Sequence, residues 1–138
     1  MVYLPHVSQQ IQLPNMKKIL PLLLRIVVAI ILIQTLRFKF TAHPDSVYIF
    51  TKVGLEPYGR IGTGITELIA GILILIPKTA WIGAMLSLGI IGGAIMMHLT
   101  KLGIEINNDG GALFITAIVT FALSAIVLWI KRKEVKFF

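Results

Sequence analysis

Four side chains that can carry charge or hydrogen-bond lie within long apolar stretches of the sequence: Arg25, Gln34, Glu67 and His98. An ionisable group in lipid costs roughly 2.5–3.5 kcal/mol on insertion scales, so each needs a reason to be there. Glu67 lies six residues, or ~9 Å, into its stretch from Ile61 and shares a helix face with Gly64 and Gly71. We expect its carboxylate to point into a packed interior. There it would carry a proton or bind a ligand, or it would fix helix packing through a hydrogen bond or ion pair.

Arg25 lies at a similar depth of ~9 Å, counted from Ile19, but at the opposite end of the stretches. Its long stem can extend to the boundary near Lys17 and Lys18. The alternative is an interior pair with Glu67, which would require side chains that reach along the helices or a bridging water.

Several further polar residues fall in the same half of the stretches as Glu67. Lys39 is fourteen residues after Arg25 and shares its helix face, whereas Gln34 points the opposite way. His98 ends the third stretch, where a lone histidine is more often a boundary residue than a ligand, and Asp109 precedes the fourth. A ligand site is therefore expected to open on this side.

Other kinds of chemistry find little support. The chain has no cysteine, which excludes disulfides, thiol relays and thiolate-bound zinc or iron–sulfur clusters within it. A lone histidine in a span, with scattered carboxylates, predicts neither a metal site nor a haem held by two histidines. Ser-His-Asp spacing, a phosphate-binding loop and an HExxH motif are all missing from the sequence.

The composition requires lipid as the solvent. The 138 residues are 57% hydrophobic and 14% charged, and a soluble chain of this size buries only ~60–70% of its surface. The formal net charge is +7. Basic residues lie between the apolar stretches and at the chain ends, as membrane-flanking residues do, so we do not expect nucleic-acid binding.

Four stretches are long enough to cross the bilayer, which takes about 20 apolar residues each. They cover 19–38, 58–77, 79–99 and 111–130, and Trp81 and Trp129 lie near span ends. The predicted fold class is an all-α integral membrane protein, a bundle of four transmembrane helices in one domain over 1–138. Residues 1–16 are interpreted as a polar-to-mixed leader, and the first span as a retained helix rather than a cleaved signal peptide.

A short helix is expected between the first two spans, at the membrane interface. His43, Pro44 and Asp45 supply helix-start residues, and Gly54 supplies a stop. An even number of spans places both termini on one side, with seven basic residues there and five on the other. The positive-inside rule then predicts that both termini are cytoplasmic.

Several runs in the sequence carry a resemblance to a known family: Gln34–Thr41, Pro44–Lys52, Glu56–Gly62, Glu67-Leu68, and His98-Leu99 through Asn108-Asp109-Gly110-Gly111. Together with an arginine early in the first span, they resemble the DoxX family of small four-helix bacterial membrane proteins, over roughly residues 19–132. The resemblance implies a location in the bacterial cytoplasmic (inner) membrane. The family takes its name from a subunit associated with a thiosulfate:quinone oxidoreductase, which implies a link to membrane redox complexes. Leu36 stands where the family often has glycine, and the absence of cysteine argues against direct thiol oxidation here.

Three classes of function follow. The first is an accessory or quinone-interacting subunit of a membrane redox system, in which Glu67 with His98 or Gln34 hydrogen-bonds the quinone headgroup. The second is a small-solute, lipid-binding or proton-coupled transport protein built around Glu67, which would require an oligomer. The third is a structural or assembly subunit. Expected partners are the lipid bilayer, redox subunits and a second copy of the chain.

Overall fold

The computed structural model describes residues 3–134, with side chains described for 19–133. Within that part the chain is helical and contains no strand. The five α-helices are α1 (Tyr3–Phe40), α2 (Pro44–Lys52), α3 (Tyr58–Leu75), α4 (Ala80–Met97) and α5 (Ala112–Ile130). Short 3₁₀ turns follow α3 and α5, at Pro77–Thr79 and Arg132–Glu134, and a π-helical turn at His98–Leu102 continues α4.

Four helical segments are long and apolar enough to cross a membrane: Ile19–Phe40, Tyr58–Leu75, Pro77–Leu102 and Ala112–Ile130. The predicted four-span, all-helical fold is confirmed. The third segment is the longest, at 26 residues, because helical turns extend α4 at both ends.

The first helix extends further than the sequence predicts. It begins at Tyr3 rather than near Ile19, so the residues interpreted as a polar-to-mixed leader are helical from Tyr3 onward. Residues 3–18 contain no glycine and several good helix formers, such as glutamine, leucine, methionine and lysine. Hydropathy marks where lipid begins, and it does not mark where a helix begins.

The short helix α2 follows the predicted start and stop signals. The Nδ1 atom of His43 accepts a hydrogen bond from the Asp45 amide at 3.1 Å, and Pro44 occupies the first helical position, where its missing N–H costs nothing. Gly54, just past the end, has a φ of +79°, which glycine adopts without strain.

The spans form a closed ring, with α1 beside α3, α3 beside α4, α4 beside α5, and α5 beside α1. The core contains Val28, Leu32, Ala70, Ile74 and Val127. Large apolar side chains on the outer faces, such as those of α1 and α5, are exposed, as lipid contact requires.

Small residues set the helix spacing, as they do in lipid. A Cβ atom at Gly83 would lie 2.5 Å from the Ile74 amide nitrogen and 2.8 Å from the Ala70 carbonyl oxygen, so α3 and α4 touch backbone to backbone there. The hydroxyls of Ser87 and Ser124 join α4 to α5 at 2.7 Å.

The pair Gly89 and Gly93 behaves differently. A Cβ atom at either position would meet no neighbour within 4 Å. Their small-xxx-small spacing therefore serves no helix contact among the described residues, and it leaves open space beside α4.

Candidate functional site

The open space beside Gly89 and Gly93 belongs to a cavity of about 680 Å³ in the half of the bundle nearer α2. All five helices contribute to its walls, and the lining includes Ile49 and Phe50 of α2 and Val53 just after it. The lining is mainly apolar. The polar side chains that face the cavity include Gln34, Thr35, Lys39, Glu67 and His98.

Glu67 forms the centre of the polar group. Its Oε1 atom lies 2.9 Å from the Lys39 ammonium nitrogen. The Thr35 hydroxyl lies 3.2 Å from the same oxygen and 2.8 Å from the Leu32 carbonyl. The second oxygen of Glu67, Oε2, hydrogen-bonds with no residue among those described.

The ion pair is almost fully removed from solvent, since Glu67 is 3% exposed and Lys39 12%. Lys39 follows Thr35 by four residues, about one helical turn, so α1 presents both side chains to α3 on one face. The Thr35–Lys39–Glu67 cluster thus holds one carboxylate oxygen of Glu67 in place and leaves the other without a hydrogen bond to the described residues.

The main chain of Lys39 is also held. Arg60, which is buried, donates from Nη1 to the Lys39 carbonyl and from Nε to both Glu56 oxygens, at 2.8 and 3.0 Å. The last turn of an α-helix leaves carbonyls without an internal partner. Arg60 satisfies one of them on α1 and so fixes the position from which the Lys39 side chain projects.

His98 lies at the start of the π-helical turn and is buried, at 6% exposure. Its Nδ1 atom donates to the Gly103 carbonyl at 2.8 Å, and the Phe114 ring packs edge-on against it at 5.4 Å. Because Nδ1 carries the hydrogen, Nε2 of the neutral ring is an acceptor. His98 thus lies in the cavity wall at the end of α4.

Gln34 also reaches the cavity wall, from an exposed position on α1. Four of the six predicted site residues, Gln34, Lys39, Glu67 and His98, therefore meet in one cavity in the predicted half of the bundle.

Arg25 does not join them. It is 7% exposed, and its Nε and Nη1 atoms are enclosed without a hydrogen-bond partner in the described part of the chain. Of the predicted alternatives, the pair with Glu67 is absent, because Glu67 pairs with Lys39, whereas a side chain directed toward the boundary stays a prediction. Lys39 reaches Glu67 instead, because Lys39 lies near the depth of Glu67 and Arg25 lies fourteen residues, or ~21 Å, further along α1.

Asp109 lies outside the cavity and organises the start of α5. Its Oδ1 atom accepts from the amides of Ile106 and Gly111 at 3.0 and 2.8 Å, and Oδ2 accepts from Leu113 at 3.2 Å. These backbone bonds, that from Ile106 first, lower the pKa of Asp109 below its usual value. The carboxylate is engaged by the helix start, so its place among the ligand-binding candidates has no support in the geometry.

The sequence reasoning missed Thr35 and the Arg60–Glu56 pair. Spacing was the available signal for both, since Thr35 is four residues before Lys39 and Glu56 is four before Arg60. Among the described residues, no group of three or more His, Asp or Glu side chains is arranged to hold a metal ion.

A family model described as DoxX matches residues 20–99, more than half of the chain. The chain belongs to the DoxX family. The matched segment contains α2, α3 and α4 and most of the span of α1, and with them Gln34, Lys39, Glu67 and His98. No curated protein and no solved structure matches this DoxX chain.

Proposed function

We propose that this DoxX protein binds a membrane quinone in the cavity and acts as an accessory, quinone-interacting subunit of a membrane redox system. One observation carries the proposal: the four polar residues Gln34, Lys39, Glu67 and His98 converge on one apolar cavity. Its volume of about 680 Å³ lies within the range of roughly 300–1,000 Å³ typical of small-molecule sites.

The lining suits a quinone chemically. A quinone offers two carbonyl acceptors on a flat apolar ring and carries an apolar tail. The Lys39 ammonium is a hydrogen-bond donor, and in the reduced ligand a hydroxyl can donate to Oε2 of Glu67 or to Nε2 of His98. Apolar residues such as Ile31, Phe38 and Met97 provide surfaces for the ring and tail.

Gentle purification followed by native mass spectrometry tests the proposal. We expect a fraction of the chain to carry a quinone, which solvent extraction then identifies. Retention of phospholipid alone would contradict the quinone assignment and favour the lipid-binding function.

A cavity-filling substitution provides the matched variant. Gly93→Leu adds a side chain beside the cavity at a position where a Cβ meets no neighbour, so it should remove bound quinone while the thermal unfolding temperature changes little. Ala122→Leu adds a similar side chain at an exposed position of α5 outside the cavity and should retain the ligand. Equal retention of quinone by the two variants would exclude this cavity as the quinone-binding site.

The Lys39–Glu67 pair also favours the structural function, because it ties α1 to α3. A structural role predicts that Glu67→Gln lowers stability and leaves quinone retention per folded molecule unchanged. A binding role predicts that Glu67→Gln loses bound quinone and keeps its stability.

A further inference from the structure

Arg25 is a buried cation with two unpartnered nitrogens in the described part of the chain, at the end of the bundle opposite the cavity. Two of its three guanidinium nitrogens are enclosed and make no hydrogen bond within the described chain. Buried guanidinium groups are normally paired, because leaving such a charge uncompensated is costly. Its partner must therefore come from outside the described residues.

The chain offers no carboxylate for this purpose at the right depth. Glu67 is held by Lys39 in the other half of the bundle. The remaining acidic residues before α5 lie at the α2 end, namely Asp45, Glu56, Glu105 and Asp109. The one other acidic residue, Glu134, follows α5 among several basic neighbours.

The end of the bundle that holds Arg25 is strongly basic. Seven basic residues of the described chain belong to this end: Lys17, Lys18, Arg25, Lys78, Lys131, Arg132 and Lys133. Trp129, which is exposed, carries the Arg132 guanidinium over its ring at 4.1 Å, and such an amphipathic pair belongs at the headgroup level. A local excess of positive charge at this level attracts anionic lipid headgroups.

We infer that the guanidinium of Arg25 binds the phosphate of an anionic membrane lipid, at the end of the bundle where α1 enters and α5 leaves the apolar layer. The Cα atom of Arg25 lies ~9 Å inside the span, measured from Ile19, and helical side chains point toward the N-terminus of their helix, here toward the headgroups. The planar fork of arginine matches two phosphate oxygens at once, which a lysine ammonium does not.

The test uses the full chain, stripped of lipid in a neutral detergent. Binding of phosphatidylglycerol is measured by native mass spectrometry and by the rise in unfolding temperature. Phosphatidylcholine tests the need for net negative charge, and free glycerol phosphate tests whether a soluble phosphate suffices. We expect the unaltered chain to bind phosphatidylglycerol in preference to the other two.

Arg25→Met should weaken phosphatidylglycerol binding about fivefold or more, the effect of one basic group at an anionic surface. Arg25→Lys should bind phosphatidylglycerol less tightly than the unaltered chain and more tightly than Arg25→Met, because lysine keeps the positive charge and lacks the planar guanidinium. Arg37→Met is the matched control, since Arg37 is exposed at the other end of the same helix, and it should bind as the unaltered chain does.

Equal phosphatidylglycerol binding by the unaltered chain and Arg25→Met would overturn the inference. A bound phosphatidylcholine equally sensitive to Arg25→Met would overturn the requirement for an anionic lipid. Stabilisation by glycerol phosphate that disappears in Arg25→Met would support the phosphate site and assign it a soluble source. Should Arg25→Met fail to fold, the Arg25→Lys comparison decides. Each outcome is independent of quinone retention in the cavity.

Discussion

At the scale of single residues, the central feature is the Glu67 carboxylate, whose two oxygens differ in their contacts. Oε1 of Glu67 is held by Lys39 and Thr35, whereas Oε2 is left without a partner among the described residues. A purely structural ion pair gains most when all its oxygens are satisfied. The free oxygen, placed in a cavity wall, is therefore the feature that favours ligand binding.

Lys39→Met should destabilise the protein by about 3 kcal/mol, the usual cost of leaving one member of a buried pair uncompensated. Adding Glu67→Gln in the same chain should recover much of that loss, because the amide is neutral. Unfolding curves in mixed detergent micelles measure both effects. Lys101→Met, at an exposed position, is the control, and a double variant no more stable than Lys39→Met alone would contradict the assigned pair.

At this scale, the sequence predicts which half of the bundle a residue occupies, because that depends only on its position along a span. It identified Glu67, Lys39, Gln34 and His98 as occupants of one half of the bundle. It did not find that Lys39 is the partner of Glu67, because the rotation of α1 relative to α3 depends on helix packing. The burial of Arg25 was missed for the same reason.

At the scale of elements, the start of α5 depends on one side chain. Gly111 precedes the helix with a φ of +86° and offers no side-chain cap, so the amides of Gly111 and Leu113 are satisfied by Asp109 instead. Asp109 therefore caps the start of α5 from a position two residues before Gly111.

Asp109→Ala should lower stability by about 1 kcal/mol, as the loss of a helix cap does, with Lys101→Ala as the exposed control.

The pKa of Asp109 is lower in the folded chain than in the unfolded chain. Its stabilising contribution is therefore present above the unfolded pKa of about 3.9 and is lost as the pH falls through the lower, folded value. Unfolding temperatures measured from neutral pH to pH 3 should fall less steeply in Asp109→Ala than in the unaltered chain. Parallel curves would contradict the capping role.

The elements themselves were largely readable from the sequence. Apolar runs, Pro44 and Gly54 gave the spans and α2 within a few residues. The π-helical turn at His98–Leu102 and the early start of α1 at Tyr3 were not anticipated, since neither changes the hydropathy pattern.

At the scale of the whole molecule, the cavity and the Arg25 end lie in opposite halves of the bundle. The loops at the cavity end carry most of the acidic residues and the Arg25 end carries most of the basic ones. The sequence could predict this division of charge. It could not predict a cavity, because empty space depends on how five helices fit together.

The chain contains no cysteine, so single cysteines can report its orientation. With both termini cytoplasmic, Glu105→Cys at the α2 end should react with a membrane-impermeant maleimide added outside right-side-out vesicles. Lys78→Cys at the other end should react only after permeabilisation. Both positions are exposed, and the reverse labelling pattern would show an inverted protein.

The contact of Arg60 with Lys39 links the surface of the protein to its interior. The Arg60 guanidinium donates hydrogen bonds to the Glu56 carboxylate, in the loop before α3, and to the carbonyl of Lys39. The ammonium group of Lys39 in turn pairs with Glu67. A subunit that docks on this loop and displaces Glu56 would thereby shift the cation in the cavity, and by reciprocity a cavity ligand would alter the affinity of the docked subunit. In the accessory role proposed above, this contact would couple ligand binding in the cavity to the docking of a partner subunit at the Glu56 loop.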